Sequence, residues 1–149
     1  MKNDVAVTWQ ILDSFKTFVS ANYTGKIDYV VGILNGGGIP AIVAAKVLGV
    51  PIYLLHVKSY RGRKRGKVGI MNSLCPAEGY GSRILSIDDI FDSGETQKAT
   101  LAFLRNRYSP AVRSVVLISK DIEKSSKMGV EYLVKAKKNQ WYRFPWEHE

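Results

Sequence analysis

Four short, mostly apolar runs govern what this chain can fold into: DYVVGIL at 28–34, PIYLLHV at 51–57, RILSI at 83–87 and VRSVVLIS at 112–119. None approaches the roughly 18 apolar residues needed to span a membrane, and each has strand length. Helical patterns lie around and between them. Thr8-Trp9 opens one, with Leu12, Phe15, Phe18 and Val19 on one side. Pro40 suits the first turn of a second, AIVAAKVLG, which ends at Gly49. Thr96–Arg107 reads as a third. SYRGRKRGK (59–67) reads as a loop, and VGIMN (68–72) begins a further strand. The stretch from 120 to 149 is read as irregular, with VEYLV as one short strand. Strands alternating with helices predict an α/β domain, a mostly parallel central sheet flanked by helices. In such sheets ligands bind beyond the carboxyl ends of the strands.

The chain has 149 residues and reads as one domain, 1–149, with its core at about 25–120. MKNDVAVTW lacks the layout of a signal peptide. Cys75 is the single cysteine, so no intrachain disulfide forms and a cytoplasmic location is expected. With His56 and His148 as its only histidines, the chain lacks the ligands of a zinc site. Net charge is +9, which fits a nucleic acid, an anionic membrane or a small polyanion. Its distribution says more. No Asp or Glu occurs between Asp28 and Glu78, and Lys58, Arg61, Arg63, Lys64, Arg65 and Lys67 crowd into that gap. Three of the thirteen carboxylates gather at 88–92. Cations for phosphates beside carboxylates for a metal suit a metal-chelated polyanion.

The acidic stretch Asp88-Asp89-Ile90-Phe91-Asp92-Ser93-Gly94-Glu95-Thr96 runs from a strand into a helix. A strand-to-helix turn points backbone N–H groups at an anion, and the helix dipole favours it. Ser93 and Thr96 add hydroxyl donors, and Gly94 lets the backbone approach closely. The result is a cradle for a phosphate monoester. Asp88 and Asp89 stand just before it, placed for ribose hydroxyls or a hydrated Mg²⁺. Asp92 is placed to act as acid or base on a group further along. The plainer alternative is a solvated acidic turn capping a helix.

This stretch resembles the signature of the type I phosphoribosyltransferases. Those enzymes bind 5-phosphoribosyl 1-pyrophosphate (PRPP) with Mg²⁺ and move the phosphoribosyl group onto a nitrogenous base. The resemblance implies that Asp88 and Asp89 hold the ribose and, partly through water, the metal. It implies that Asp92, Ser93, Gly94, Glu95 and Thr96 hold the 5-phosphate, with Asp92 also near the imidazole ring of a purine. Asn35-Gly36-Gly37-Gly38 resembles the family's pyrophosphate loop, three glycines presenting successive amides to a diphosphate. Asn35 stands where many relatives carry a cation, and a cis peptide would fall at Asn35-Gly36. Ser59, Tyr60, Arg61, Arg63, Lys64, Arg65 and Lys67 resemble the flexible lid that closes over PRPP and excludes water. The alternative for this segment is a solvated or RNA-contacting basic loop.

The ending Trp141-Tyr142-Arg143-Phe144-Pro145-Trp146-Glu147 resembles the base-binding hood of the xanthine-guanine type, formed mainly by about 120–149. There Tyr142 would stack on the purine, with Trp141 and Glu147 beside it. Lys120 would donate to the O6 carbonyl, since an ammonium has donors only. Lys124 and Lys127 are its neighbours and receive no role. The implied reaction joins PRPP to a 6-oxopurine, xanthine, guanine or hypoxanthine, in purine salvage. Mg²⁺ is the implied cofactor. A homodimer or higher homo-oligomer is expected, with no membrane and no nucleic-acid partner. The alternatives are a non-catalytic PRPP sensor that binds nucleic acid, and an enzyme of the same family acting on adenine or uracil.

Overall fold

The computed structural model describes residues 3–60, 67–74 and 82–147. The chain runs β1 (Asn3–Ala6), α1 (Gln10–Tyr23), β2 (Tyr29–Leu34), α2 (Gly38–Leu48), β3 (Ile52–Tyr60) and β4 (Lys67–Leu74). It continues through β5 (Ile84–Phe91), α3 (Glu95–Arg107), β6 (Val112–Ser119), α4 (Ile122–Lys127), β7 (Val130–Lys135) and β8 (Gln140–Arg143). The α/β reading holds. Six strands form one sheet in the order β4-β3-β2-β5-β6-β7, parallel throughout except for the β3–β4 pair. Among the described residues no helix is long and apolar enough to cross a membrane.

The apolar runs are continuous because both faces of the sheet are covered. Val30, Leu85, Ile87, Val115 and Leu117 pack with Phe15, Val19 and Tyr23 of α1 and with the alanines of α2. Their strand neighbours Val31, Ile33, Ile84, Val112 and Val116 pack on the opposite face with Leu101 and Leu104 of α3. Small residues let α2 lie close: a Cβ on Gly32 would stand 2.7 Å from the Cβ of Ala41. Gly49 ends α2 in the left-handed region at φ 66°, its N–H donating to the carbonyls of Ala45 and Lys46.

Three features depart from the sequence reading. The stretch from 120 to 149 is mostly regular, holding α4, β7 and β8. β7 extends the main sheet, pairing with β6. β8 pairs in parallel with β1, an N-terminal strand that no local pattern announces, to make a separate two-stranded sheet. The third concerns 59–67, where Ser59 and Tyr60 end β3 and Lys67 opens β4, with Tyr60 paired to Lys67. Arg61, Arg63, Lys64 and Arg65 lie outside the described residues.

Candidate active site

The chain leaves β2 toward β3 on one side, while β5, β6 and β7 build out on the other. That divergence makes a topological switch point between β2 and β5, where a parallel sheet opens a crevice. Gly32 of β2 is in register with Ile87 of β5. The loop after Leu34 therefore lies beside the acidic end of β5.

In the 35–38 loop, contact with β5 demands the glycines. A Cβ on Gly36 would fall within the carboxylate of Asp89. A Cβ on Gly37 would meet the carbonyl of Ile33 at 2.6 Å and would also collide with the carbonyl of Ile87. Two of the expected amides are already committed: Gly37 N–H donates to Ile33 O at 2.8 Å and Gly38 N–H to Asn35 O at 3.2 Å. The expected row of three outward amides is thus reduced to the Asn35–Gly36 end of the loop. The cis peptide joins Leu34 to Asn35, one bond earlier than expected.

The paired aspartates divide. Asp88 turns inward: one carboxylate oxygen accepts the Asp89 N–H at 2.8 Å and the other accepts Nε2 of Gln97 at 3.1 Å. Burial first, and then the charge of Asp89, push the Asp88 carboxyl well above the usual carboxylate range. Gln97 is buried and also donates to Ile90 O at 3.2 Å. Asp89 is 8% exposed and lies against Gly36. Glu147 reaches the same place. Its carboxyl is raised by burial, opposed by the Phe144 N–H it accepts at 3.1 Å, and raised further by its hydrogen-bonded neighbour Asp89. Trp146 closes the arrangement, its indole N–H donating to Gly36 O at 3.0 Å. The sequence reading missed Gln97 and placed Trp146 in the hood motif without its bond to the glycine loop, because both act through pairings that only the fold creates.

Among the described residues no three His, Cys, Asp or Glu side chains form a self-sufficient metal cage. Mg²⁺ characteristically keeps several waters and takes one or two carboxylates plus substrate oxygens. Asp88 and Asp89, with Glu147 alongside, fit that manner of binding.

Asp92 projects from the end of β5 with its side chain 65% exposed. Lys120, only 7% exposed, places Nζ 3.6 Å from the Asp92 carboxylate. Its backbone N–H donates to Phe91 O at 2.9 Å, which fixes the lysine at the carboxyl end of β6 beside β5. Gly94 precedes α3 in the left-handed region at φ 85°, and a Cβ there would stand 2.6 Å from the Phe91 ring. A cleft of about 240 Å³ is lined by Asn35, Gly36, Asp88, Asp89, Asp92, Ser93, Gly94, Thr96 and Gln97, among others. Glu95, also expected here, opens α3 and is not part of that lining.

The four residues expected around a base do not converge on one point. β8 alternates, so Trp141 and Arg143 face one way and Tyr142 the other. Trp141 lines a separate cavity of about 800 Å³ with Asn35, Gly36, Trp146 and Glu147. Tyr142 packs against the core; its hydroxyl donates to Gln140 Oε1 at 2.6 Å and accepts the Lys137 N–H at 3.1 Å. Glu147 belongs with Asp89, and Lys120 with Asp92.

The family model of the phosphoribosyl transferase domain matches residues 10–149. A xanthine-guanine phosphoribosyltransferase of Cereibacter sphaeroides is 28% identical over 120 residues, 79% of this chain and 68% of that protein. The crystal structure of a purine phosphoribosyltransferase from Pyrococcus horikoshii superposes with a TM-score of 0.83 at 24% identity, covering 98% of this chain and 95% of that one. A hypoxanthine phosphoribosyltransferase from Staphylococcus aureus gives 0.66 at 25% identity, over 86% and 73% of the two chains. A cleft at the start of α3, an acidic strand end and a glycine loop at one switch point, together with a family match over nearly the whole length, make this chain a member of the type I phosphoribosyltransferase family, most like its 6-oxopurine enzymes.

Proposed function

We propose that the protein transfers the 5-phosphoribosyl group of PRPP to a 6-oxopurine, xanthine, guanine or hypoxanthine, releasing pyrophosphate and a purine nucleoside 5′-monophosphate. The observation that carries this reading is the Lys120–Asp92 pair. A buried ammonium 3.6 Å from an exposed carboxylate presents a donor and a proton acceptor side by side. A 6-oxopurine matches both, with O6 facing the lysine and a ring nitrogen facing the aspartate. Adenine offers a 6-amino donor to a donor and is disfavoured.

In this reading Ser93, Gly94 and Thr96 receive the 5-phosphate, and Asp89 receives the ribose hydroxyls. The Asn35–Gly36 end of the glycine loop receives the diphosphate. Asp88 and Asp89 would hold Mg²⁺, partly through water, and the ion when bound would supply charge neutralisation to the diphosphate leaving group. The bond from C1 to pyrophosphate breaks, the bond from C1 to the base nitrogen forms, and Asp92 takes up the proton. The basic segment 59–67 closes over the diphosphate. Ile39, Ile42 and Val47 leave apolar surface exposed on α2, which fits a homodimer or higher homo-oligomer. Purine salvage in the cytoplasm is the corresponding role.

Steady-state kinetics separate these roles. Asp92→Ala is expected to lower kcat by roughly 10²–10⁴-fold with little change in PRPP affinity, whereas Asp88→Ala with Asp89→Ala weakens PRPP itself. Wild-type turnover by the double variant would overturn the assignment.

A further inference from the structure

Lys120, Lys124 and Lys127 lie close together in sequence, and the structure separates their surroundings. Lys127 forms an exposed pair with Glu123, four residues back, at 3.2 Å. Lys124 instead reaches across to the acidic loop, where its Nζ donates to the backbone carbonyl of Ser93 at 2.5 Å.

The lysine is held from behind. Asp121 caps α4 by accepting the Lys124 N–H at 3.0 Å, and Lys138 pairs with the same carboxylate at 3.1 Å. Buried Ser125 bonds Ser119 at the end of β6, hydroxyl to hydroxyl, at 3.0 Å. The target peptide is braced too. The Phe91 ring and the Met128 sulfur fill the space a Cβ on Gly94 would need, and the Gly94 carbonyl accepts the Lys98 N–H at 2.9 Å.

A trans peptide is planar, so its carbonyl and its N–H point in opposite directions. A cation that draws the Ser93 carbonyl toward α4 turns the Gly94 N–H the other way, toward the cleft that Ser93, Gly94 and Thr96 line. We propose that Lys124 is a positioning residue for the phosphate cradle: by fixing the Ser93–Gly94 peptide it aims the Gly94 N–H at the 5-phosphate of the ribosyl substrate. The proposal rests on the phosphoribosyl reading above. It makes the five residues from Lys120 to Lys124 brace two adjacent positions of the acidic loop, Lys120 at Asp92 and Lys124 at Ser93.

The test compares wild type, Lys124→Met and Lys124→Arg, using ribose 5-phosphate and pyrophosphate as inhibitors competing with PRPP. Lys124→Met is expected to weaken ribose 5-phosphate about tenfold, the worth of one charge-assisted hydrogen bond. Pyrophosphate inhibition and kcat at saturating PRPP stay near wild type, and Lys124→Arg recovers most of the loss. Equal weakening of both anions would mean general electrostatics and would overturn the proposal, as would unchanged ribose 5-phosphate inhibition. A wild-type protein inhibited by neither anion and inert with PRPP would overturn the phosphoribosyl reading itself. Thermal midpoints of the variants separate misfolding from either result.

Discussion

At Gly37 two backbone carbonyls, one from β2 and one from β5, occupy the space any side chain would need. No rotamer relieves a contact with backbone, so the two strands must part. Gly37→Ala is expected to cost roughly 1–3 kcal/mol, as other overpacking changes do, read as a lowered thermal midpoint together with lost activity. A variant as stable and active as wild type would show that the loop is looser than its contacts imply. Gly36 is filled differently, by the Asp89 carboxylate, which ties the glycine loop to the acidic strand end. The run from Asp88 to Thr96 was legible in the sequence because a strand end, a turn and a helix start are all local. The fate of the Gly37 and Gly38 amides and the place of the cis bond were not. They follow from how β2 lies against β5, which joins residues more than fifty positions apart. Gln97 escaped notice for a similar reason: its buried side chain reads as one more helix residue until Asp88 is placed opposite it.

Among the elements, the hood is the one the sequence described least well. Its aromatic ending was evident, but its partner strand, the four residues of β1, carries no pattern of its own. Parallel pairing between β1 and β8 joins the two ends of the described chain, with Val7 N–H donating to Arg143 O at 2.8 Å just beyond β1. Below this small sheet Trp146 stacks on Phe144 at 5.1 Å, contacts Trp9 at 5.8 Å and bonds the glycine loop through its indole N–H. The hood therefore acts on the loop as well as covering it. Trp146→Phe preserves the ring packing and leaves the Gly36 carbonyl without that donor. The expected cost is about 1 kcal/mol of stability, with a raised KM for PRPP and little change in KM for the base. A raised KM for the base alone would show that the indole serves a base pocket instead. The β3–β4 pair ends at Tyr60 and Lys67, where the lid expected from the sequence would begin.

For the whole molecule, the switch point of the main sheet brings the carboxylates of Asp88, Asp89 and Glu147 together, Asp89 buried and Glu147 exposed, while the acid-free stretch from 29 to 77 includes the antiparallel β3–β4 edge. The concentration of acid has a stability consequence. Asp88 and Glu147 have folded-state carboxyls raised above their ordinary values. Groups raised in this way contribute stability that is present at acid pH and lost as pH rises through the folded value. Asp28, held low by Arg83, acts in the opposite sense, losing its contribution only as pH falls below the ordinary carboxylate range. The ligand-free protein is therefore expected to show a thermal midpoint that declines as pH rises above the ordinary carboxylate range, with a shallower decline in Asp88→Asn. A midpoint that is flat or rises as pH rises would contradict the mutual repulsion of these carboxylates. The measurement that tests the central claim most directly is a base panel. The protein is given PRPP and Mg²⁺ with xanthine, guanine, hypoxanthine, adenine, uracil or orotate, one at a time, and nucleotide formation is followed. Turnover of one or more 6-oxopurines, with adenine and the pyrimidines inert, is the predicted result. Turnover of adenine or a pyrimidine with the 6-oxopurines inert would contradict the Lys120–Asp92 account of base choice, and no turnover of any base would contradict the enzyme itself.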